Sequence, residues 1–82
     1  MASKIDIIVQ DYPDIEWLKT DGFDEAIVGV DLNSERLVYD IDLMIDILIL
    51  EGMNDLDAIE HLEYNVLNAH IGEKTPIYIN TI

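Results

Sequence analysis

The sequence predicts a small α+β domain, a short antiparallel sheet made of a hairpin plus terminal strands and covered on one face by two helices. Three observations carry that expectation. Two β-rich runs, 25–31 and 36–39, flank the polar connection Leu32-Asn33-Ser34-Glu35, which has the length and chemistry of a hairpin loop. Two later segments begin at Asp or Asn, carry apolar residues at helical spacing and stop at Gly52 and Gly72. Finally, 82 residues of which half are hydrophobic build one core and leave too little chain for a second. The whole of 1–82 therefore reads as a single domain.

In chain order, the β-branched run 4–10 reads as a first strand. Tyr12-Pro13-Asp14 turns the chain, and Asp14 is placed to cap one helical turn over 15–18. Asp21-Gly22 resets the direction before the hairpin. Gly29, inside the first hairpin strand, marks a bulge or a close approach by another element. A helix follows over 40–51, with Asp40 or Asp42 as its cap. Asn54 caps the next helix, with Asp57 where a capping box prefers Glu. Its apolar positions Leu56, Ile59, Leu62, Val66 and Leu67 recur at helical spacing, and Gly72 closes it. Residues 75–79 form the last short strand.

Composition excludes several classes of function. Eighteen Asp and Glu against four Lys and Arg give a formal net charge of −14 and a pI near 4.1. Direct nucleic-acid binding needs clustered cations, and an anionic membrane surface would repel this chain. The longest apolar stretch, 41–50, contains Asp42 and Asp46 and is too short to span a bilayer. Asp6 interrupts the apolar run behind Lys4, so no export signal is expected. The expected compartment is the cytoplasm.

No cysteine is present for a disulfide, thiolate metal site or nucleophile. Asp40-x-Asp42 and Asp55-x-Asp57 resemble the start of a calcium loop but lack its glycine and distal Glu, so helix capping is the better reading. His61 and His70 are nine apart, on opposite faces of a helix and without zinc-site spacing. Ser3 and Ser34 have no glycine-rich elbow, and no phosphate-binding loop occurs. No enzyme, metal or cofactor is expected.

Two surfaces remain as candidates for partners. The helix over 40–51 is apolar nearly all round, apart from Asp42 and Asp46. A domain this small buries only about 60–65% of its chain surface, so part of that helix is expected to meet a second copy, through Met44, Ile47 and Leu48. The acid is the other candidate. Asp42 and Asp46, and Asp57, Glu60 and Glu63, form rows at helical spacing beside Asp14, Glu16, Asp21 and Asp24. Such rows can imitate nucleic-acid phosphates on a basic groove. Tyr12 and Trp17 are a candidate aromatic anchor for the same partner.

The run Gly22-Phe23-Asp24-Glu25-Ala26-Ile27-Val28-Gly29-Val30, followed by Arg36-Leu37-Val38-Tyr39-Asp40, resembles part of a family of short, acidic, uncharacterised proteins encoded by tailed bacteriophages. Gly52-Met53, Asp57-Ala58-Ile59-Glu60, Tyr64-Asn65-Val66, Ala69, Gly72-Glu73 and Thr75-Pro76 extend that resemblance. It covers about residues 21–79 and leaves 1–20 as a variable N-terminal extension. The family has no assigned activity, so no functional residue carries over. The resemblance implies an accessory phage product acting in the bacterial cytoplasm.

The expected function is therefore that of a non-enzymatic phage protein. It binds a host protein, one that handles nucleic acid or serves defence, and inhibits or redirects it through a DNA-mimic-like acidic surface. The alternatives are an oligomer that sequesters a small ligand such as a nucleotide signal, or a structural or assembly component. Sequestration of an anion requires Lys4, Lys19, Arg36 and Lys74 to cluster. Asn65, polar within an amphipathic helix, is expected to bond the adjacent 72–75 loop.

Overall fold

The hairpin and the two later helices fall where the sequence places them, while both ends of the chain differ. The computed structural model describes residues 3–67 and 72–81. Its elements are α1 (Lys4–Asp11), a 3-10 turn (Asp24–Ala26), β1 (Ile27–Asp31), β2 (Arg36–Asp40), α2 (Ile41–Leu50), α3 (Asp55–Leu62) and β3 (Ile77–Ile79). A π-helical stretch, Glu63–Leu67, continues α3. The domain is α+β.

Residues 4–10 form no strand. Ser3 Oγ accepts from the Asp6 N–H (3.2 Å) and Asp6 Oδ2 accepts from the Ser3 N–H (3.3 Å), which closes a capping box and starts α1 instead. Ile5 and Ile8, three apart, then pack against the core, and Ile7 and Val9 stay exposed. Cap and helical packing together outweigh the β preference of these side chains. The helical turn expected over 15–18 is also absent. Ile15 N–H bonds the Tyr12 carbonyl (3.3 Å), and the chain then runs without helix to Thr20. Ile15 and Trp17 are half-buried while Glu16 and Leu18 are exposed, the alternation of extended chain. A lone helical turn has a costly nucleus and would forfeit that alternation.

β1 and β2 pair antiparallel from Asp31↔Arg36 to Ile27↔Tyr39, with a slip between Ile27 and Gly29. A Cβ placed on Gly29 would meet nothing, so this glycine marks a bulge and not a close approach. Asp31 organises the loop by accepting from Ser34 Oγ (2.9 Å) and from the Asn33 N–H (3.0 Å). The sheet is not wholly antiparallel, however. β3 lies on the other edge of β2 and runs parallel to it, with Val38↔Ile77 and Asp40↔Ile79 in register. The helical connection between β2 and β3 is the kind of crossover that parallel neighbours require.

The core consists of Phe23, Ala26, Ile27, Leu37, Tyr39, Met44, Leu48, Ala58, Leu62 and Val66. On α3 the buried positions are Ala58 and Leu62, followed by Val66, whereas Leu56 and Ile59 point to solvent. The apolar pattern alone does not choose between these faces. Burying Ala58 completely brings a small side chain to the packing face, where α3 meets α2. Asn65 does not turn to the 72–75 loop. Its Nδ2 donates to the His61 carbonyl (3.1 Å), the group its backbone N–H would bond in an α-helix. That competition coincides with the change to π geometry.

Leu62→Ala should cost about 2–5 kcal/mol in urea unfolding, and Asn54→Ala, which removes the α3 cap, about 1 kcal/mol. Leu50→Ala should stay within about 0.5 kcal/mol of the parent. Equal losses for Leu50 and Leu62 would refute the division into core and surface.

Candidate partner-binding surface

The candidate surface is the outer face of α2 and α3, and its orientation is set by their caps. Asp40 Oδ1 accepts from the Asp42 N–H (2.8 Å) and the Leu43 N–H (3.4 Å), while its Oδ2 accepts from Thr81 Oγ1 (2.6 Å). With the start fixed and Met44 and Leu48 buried, Asp42, Leu43, Asp46, Ile49 and Leu50 face outward. At 100° per residue they occupy an arc of about 120°. Asn54 Oδ1 accepts from the Asp57 N–H (2.8 Å) at the start of α3. Ala58 and Leu62 turn inward, so Asp55, Leu56, Asp57, Ile59 and Glu60 are exposed.

Between the helices the chain reverses at Gly52, whose φ of 110° suits a residue without Cβ. Gly52 N–H bonds Ile49 O (3.0 Å) and Met53 N–H bonds Leu48 O (3.1 Å). This is a Schellman closure, and Met53 packs against the core beneath it. The corner displays Leu50, 88% exposed, and Leu56, 73% exposed, the two most exposed aliphatic side chains among the described residues. A shallow groove of about 430 Å³ is lined by Ile49, Met53, Asn54, Asp55 and Leu56.

The electrostatics of this half are uniform. Between Arg36 and Lys74 the chain carries half of its 18 acidic residues and no Lys or Arg. Asp40 is buried as a cap, but Asp42, Asp46, Glu51, Asp55, Asp57, Glu60 and Glu63 are all exposed. The four cations lie elsewhere in two pairs. Lys4 Nζ donates to the Glu25 carbonyl (2.7 Å), and Lys19 forms an ion pair with Asp24 (3.4 Å), both at the 3-10 turn. Arg36 Nη1 donates to the Thr75 carbonyl (3.3 Å), and Lys74 meets Glu35 (3.4 Å), both where β2 begins.

Asp42 and Asp46 are exposed on α2, Asp57 and Glu60 on α3, and Glu63 on the π-helical stretch that continues it. Asp14, Glu16 and Asp21 are exposed on the non-helical segment that also holds Lys19, and Asp24 is half-buried against that lysine. These four have no helical spacing. Tyr12 and Trp17 form an edge-to-face pair at 6.1 Å, but both are half-buried. Trp17 packs against the core with its Nε1 buried, so it serves the fold before any partner. Met44 and Leu48 lie in the chain's own core, and Ile47 packs against it. The self-association trio is therefore corrected: the apolar residues left to solvent are Leu43, Ile49 and Leu50. The Asp42, Asp46, Leu50 stripe, each four apart, was the signal that could have placed Leu50 outside.

His70, expected on the helix face opposite His61, lies outside the described residues. Among the described residues, no group of three or more His, Asp and Glu is arranged to hold a metal ion. No described helix is long and apolar enough to cross a membrane. Neither known protein families, nor curated proteins, nor solved structures contain a match to this chain.

The Thr81 hydroxyl, helped by the Leu43 and Asp42 backbone N–H groups, holds the Asp40 carboxyl below the ordinary value of 3.8, against the effect of burial. A depressed folded pKa adds stability that is present above the unfolded value and lost as pH falls through the folded one. Asp40→Asn should therefore be less stable than the parent at neutral pH, and the gap should narrow below about pH 4. Urea midpoints of both proteins across pH test this. A gap that widens in acid would overturn the assignment.

Proposed function

We propose that this chain is a non-enzymatic phage accessory protein that docks the acidic face of α2 and α3 on a basic surface of a host protein. The partner is a nucleic-acid-handling or defence protein, which the docking inhibits or redirects. The observation that carries the reading is the cation-free stretch between Arg36 and Lys74, with seven exposed carboxylates on its two helices and their connection. A charge of −14 exceeds the magnitude of about 2–8 that keeps a small domain soluble, and self-repulsion lowers its stability. Nine of the 18 acidic residues and none of the four Lys and Arg fall between Arg36 and Lys74, a concentration that is understandable if its field attracts a partner. Asp42 and Asp46, and Asp57 and Glu60, stand roughly 5–6 Å apart by helical geometry, a spacing suited to a groove that binds phosphates. The phage origin and the bacterial host rest on the sequence resemblance.

A second reading, sequestration of a small ligand, draws on the groove lined by Glu16, Trp17, Leu18 and Lys74. There Lys74 Nζ already donates to the Glu16 carbonyl and to Glu35, both at 3.4 Å, and Glu16 adds negative charge. That arrangement does not favour an anion.

The tagged protein should capture a nucleic-acid-handling protein from bacterial lysate at low salt and lose it at moderate salt. With the captured partner purified, a variant carrying Asp42→Asn, Asp46→Asn, Asp57→Asn and Glu60→Gln should associate about tenfold more slowly or worse. Association indifferent to both salt and neutralisation would refute the reading.

A further inference from the structure

The corner between α2 and α3 is not a purely charged surface, and that bears on what it receives. Leu56 lines the groove with Ile49, Met53, Asn54 and Asp55, and the still more exposed Leu50 follows Ile49 at the end of α2. Exposed apolar patches rimmed by polar groups mark interaction sites. We infer that this corner takes a basic amphipathic helix of a partner protein, an inference that rests on the acidic-face reading above and names the partner's chemistry. The apolar side of that helix seats on Leu50, Met53 and Leu56, and its Lys and Arg reach the surrounding carboxylates.

Charge complementarity selects this occupant over a second copy. Asp46, Glu51, Asp55, Asp57 and Glu60 surround the corner in sequence, and no Lys or Arg lies between Arg36 and Lys74 to offset them. Two copies meeting here would set carboxylates against carboxylates, which is costly in a desolvated contact. An apolar segment without cations would leave those carboxylates desolvated and unpaired. Sheet topology argues for a helix. The edges open to strand addition belong to β1 and β3, whereas the corner is made by two helices whose side chains are the contact.

The test uses the full chain and two synthetic peptides of about 18 residues. One is a Leu/Lys helix with Leu at amphipathic spacing, and the other replaces every Leu by Gln. In fluorescence anisotropy, the Leu peptide should bind wild type at least about tenfold more tightly than the Gln peptide. Leu50→Ser with Leu56→Ser should abolish that preference, while Ile7→Ser on the exposed side of α1 should leave it intact. Unchanged circular dichroism and melting would show that the paired variant is folded.

Equal binding of both peptides to wild type would overturn the inference and leave the acidic-face reading standing. A Leu preference that survives Leu50→Ser with Leu56→Ser would also overturn it, by placing the peptide elsewhere. Binding of neither peptide would count against both readings. A wild-type dimer in sedimentation that the paired variant dissociates would assign the corner to a second copy, against the inference.

Discussion

The carboxylate of Asp40 is the point on which the rest of this structure depends. It ends β2, caps α2 through two backbone N–H groups, pairs with Ile79 of β3 and accepts from Thr81. A buried carboxylate needs such donors, because an unpaired charge away from water is strongly disfavoured. The donors come from the start of α2 and from the chain beyond β3, so one residue fixes the strand-to-helix transition and the terminal strand together. Its neighbour Tyr39 does the same for the other end. The buried Tyr39 hydroxyl accepts from the Thr20 N–H (2.8 Å), and Thr20 Oγ1 shares a hydrogen bond with Tyr78 (2.7 Å). Burial pushes the Tyr39 phenol up, against the Thr20 N–H bond that favours its charged form.

From that junction the outer surface follows almost without choice. Once Asp40 sets the first turn of α2, helical geometry turns Met44 and Leu48 inward, and the same rotation turns Asp42, Asp46 and Leu50 outward. The Schellman closure at Gly52 and the Asn54 cap then orient α3, so Leu56 emerges beside the groove. Neither Leu50 nor Leu56 contributes to the core. Their exposure leaves folding to gain little from them, which frees the corner to be shaped by contact with another molecule.

The parts legible in the sequence were those governed by local chemistry. Asn54 as a cap, Gly52 and Gly72 at positive φ and the 32–35 connection each follow from one residue's hydrogen bonds or backbone freedom. The α2 cap stood between Asp40 and Asp42, and Gly29 between a bulge and a close approach, until the fold chose the first of each. Decisions between long-range alternatives were less legible. Residues 4–10 have the composition of a strand, and only packing of Ile5 and Ile8 against a core built later in the chain rewards the helix. β3 is three residues long, too little to announce its direction. On α2 nearly every position is apolar, so only the Asp42, Asp46 stripe could set Leu50 apart from Met44 and Leu48, and nothing in the pattern set Leu43 apart. That Asp42, Asp46, Asp57 and Glu60 lie on helices was readable because it needs only the helices themselves. The apolar corner was not, since it arises from the angle between two helices.

In the docking proposed for α2 and α3, the two kinds of exposed side chain act on different parts of an encounter. Carboxylates project a field beyond their own contacts, so they hasten approach and orient a cationic partner, and salt within a Debye length of about 8–10 Å weakens that effect. In the proposed complex Leu50 and Leu56 act only after contact, when water leaves the corner, and their contribution is felt in how slowly that complex separates. A decoy made of charge alone would bind many basic proteins and hold none of them in high salt. Apolar groups at the centre of the same face add a requirement of shape that a bare phosphate-binding groove does not meet. On the proposed reading, selectivity among basic partners resides in the small apolar corner, whereas the acidic field supplies reach.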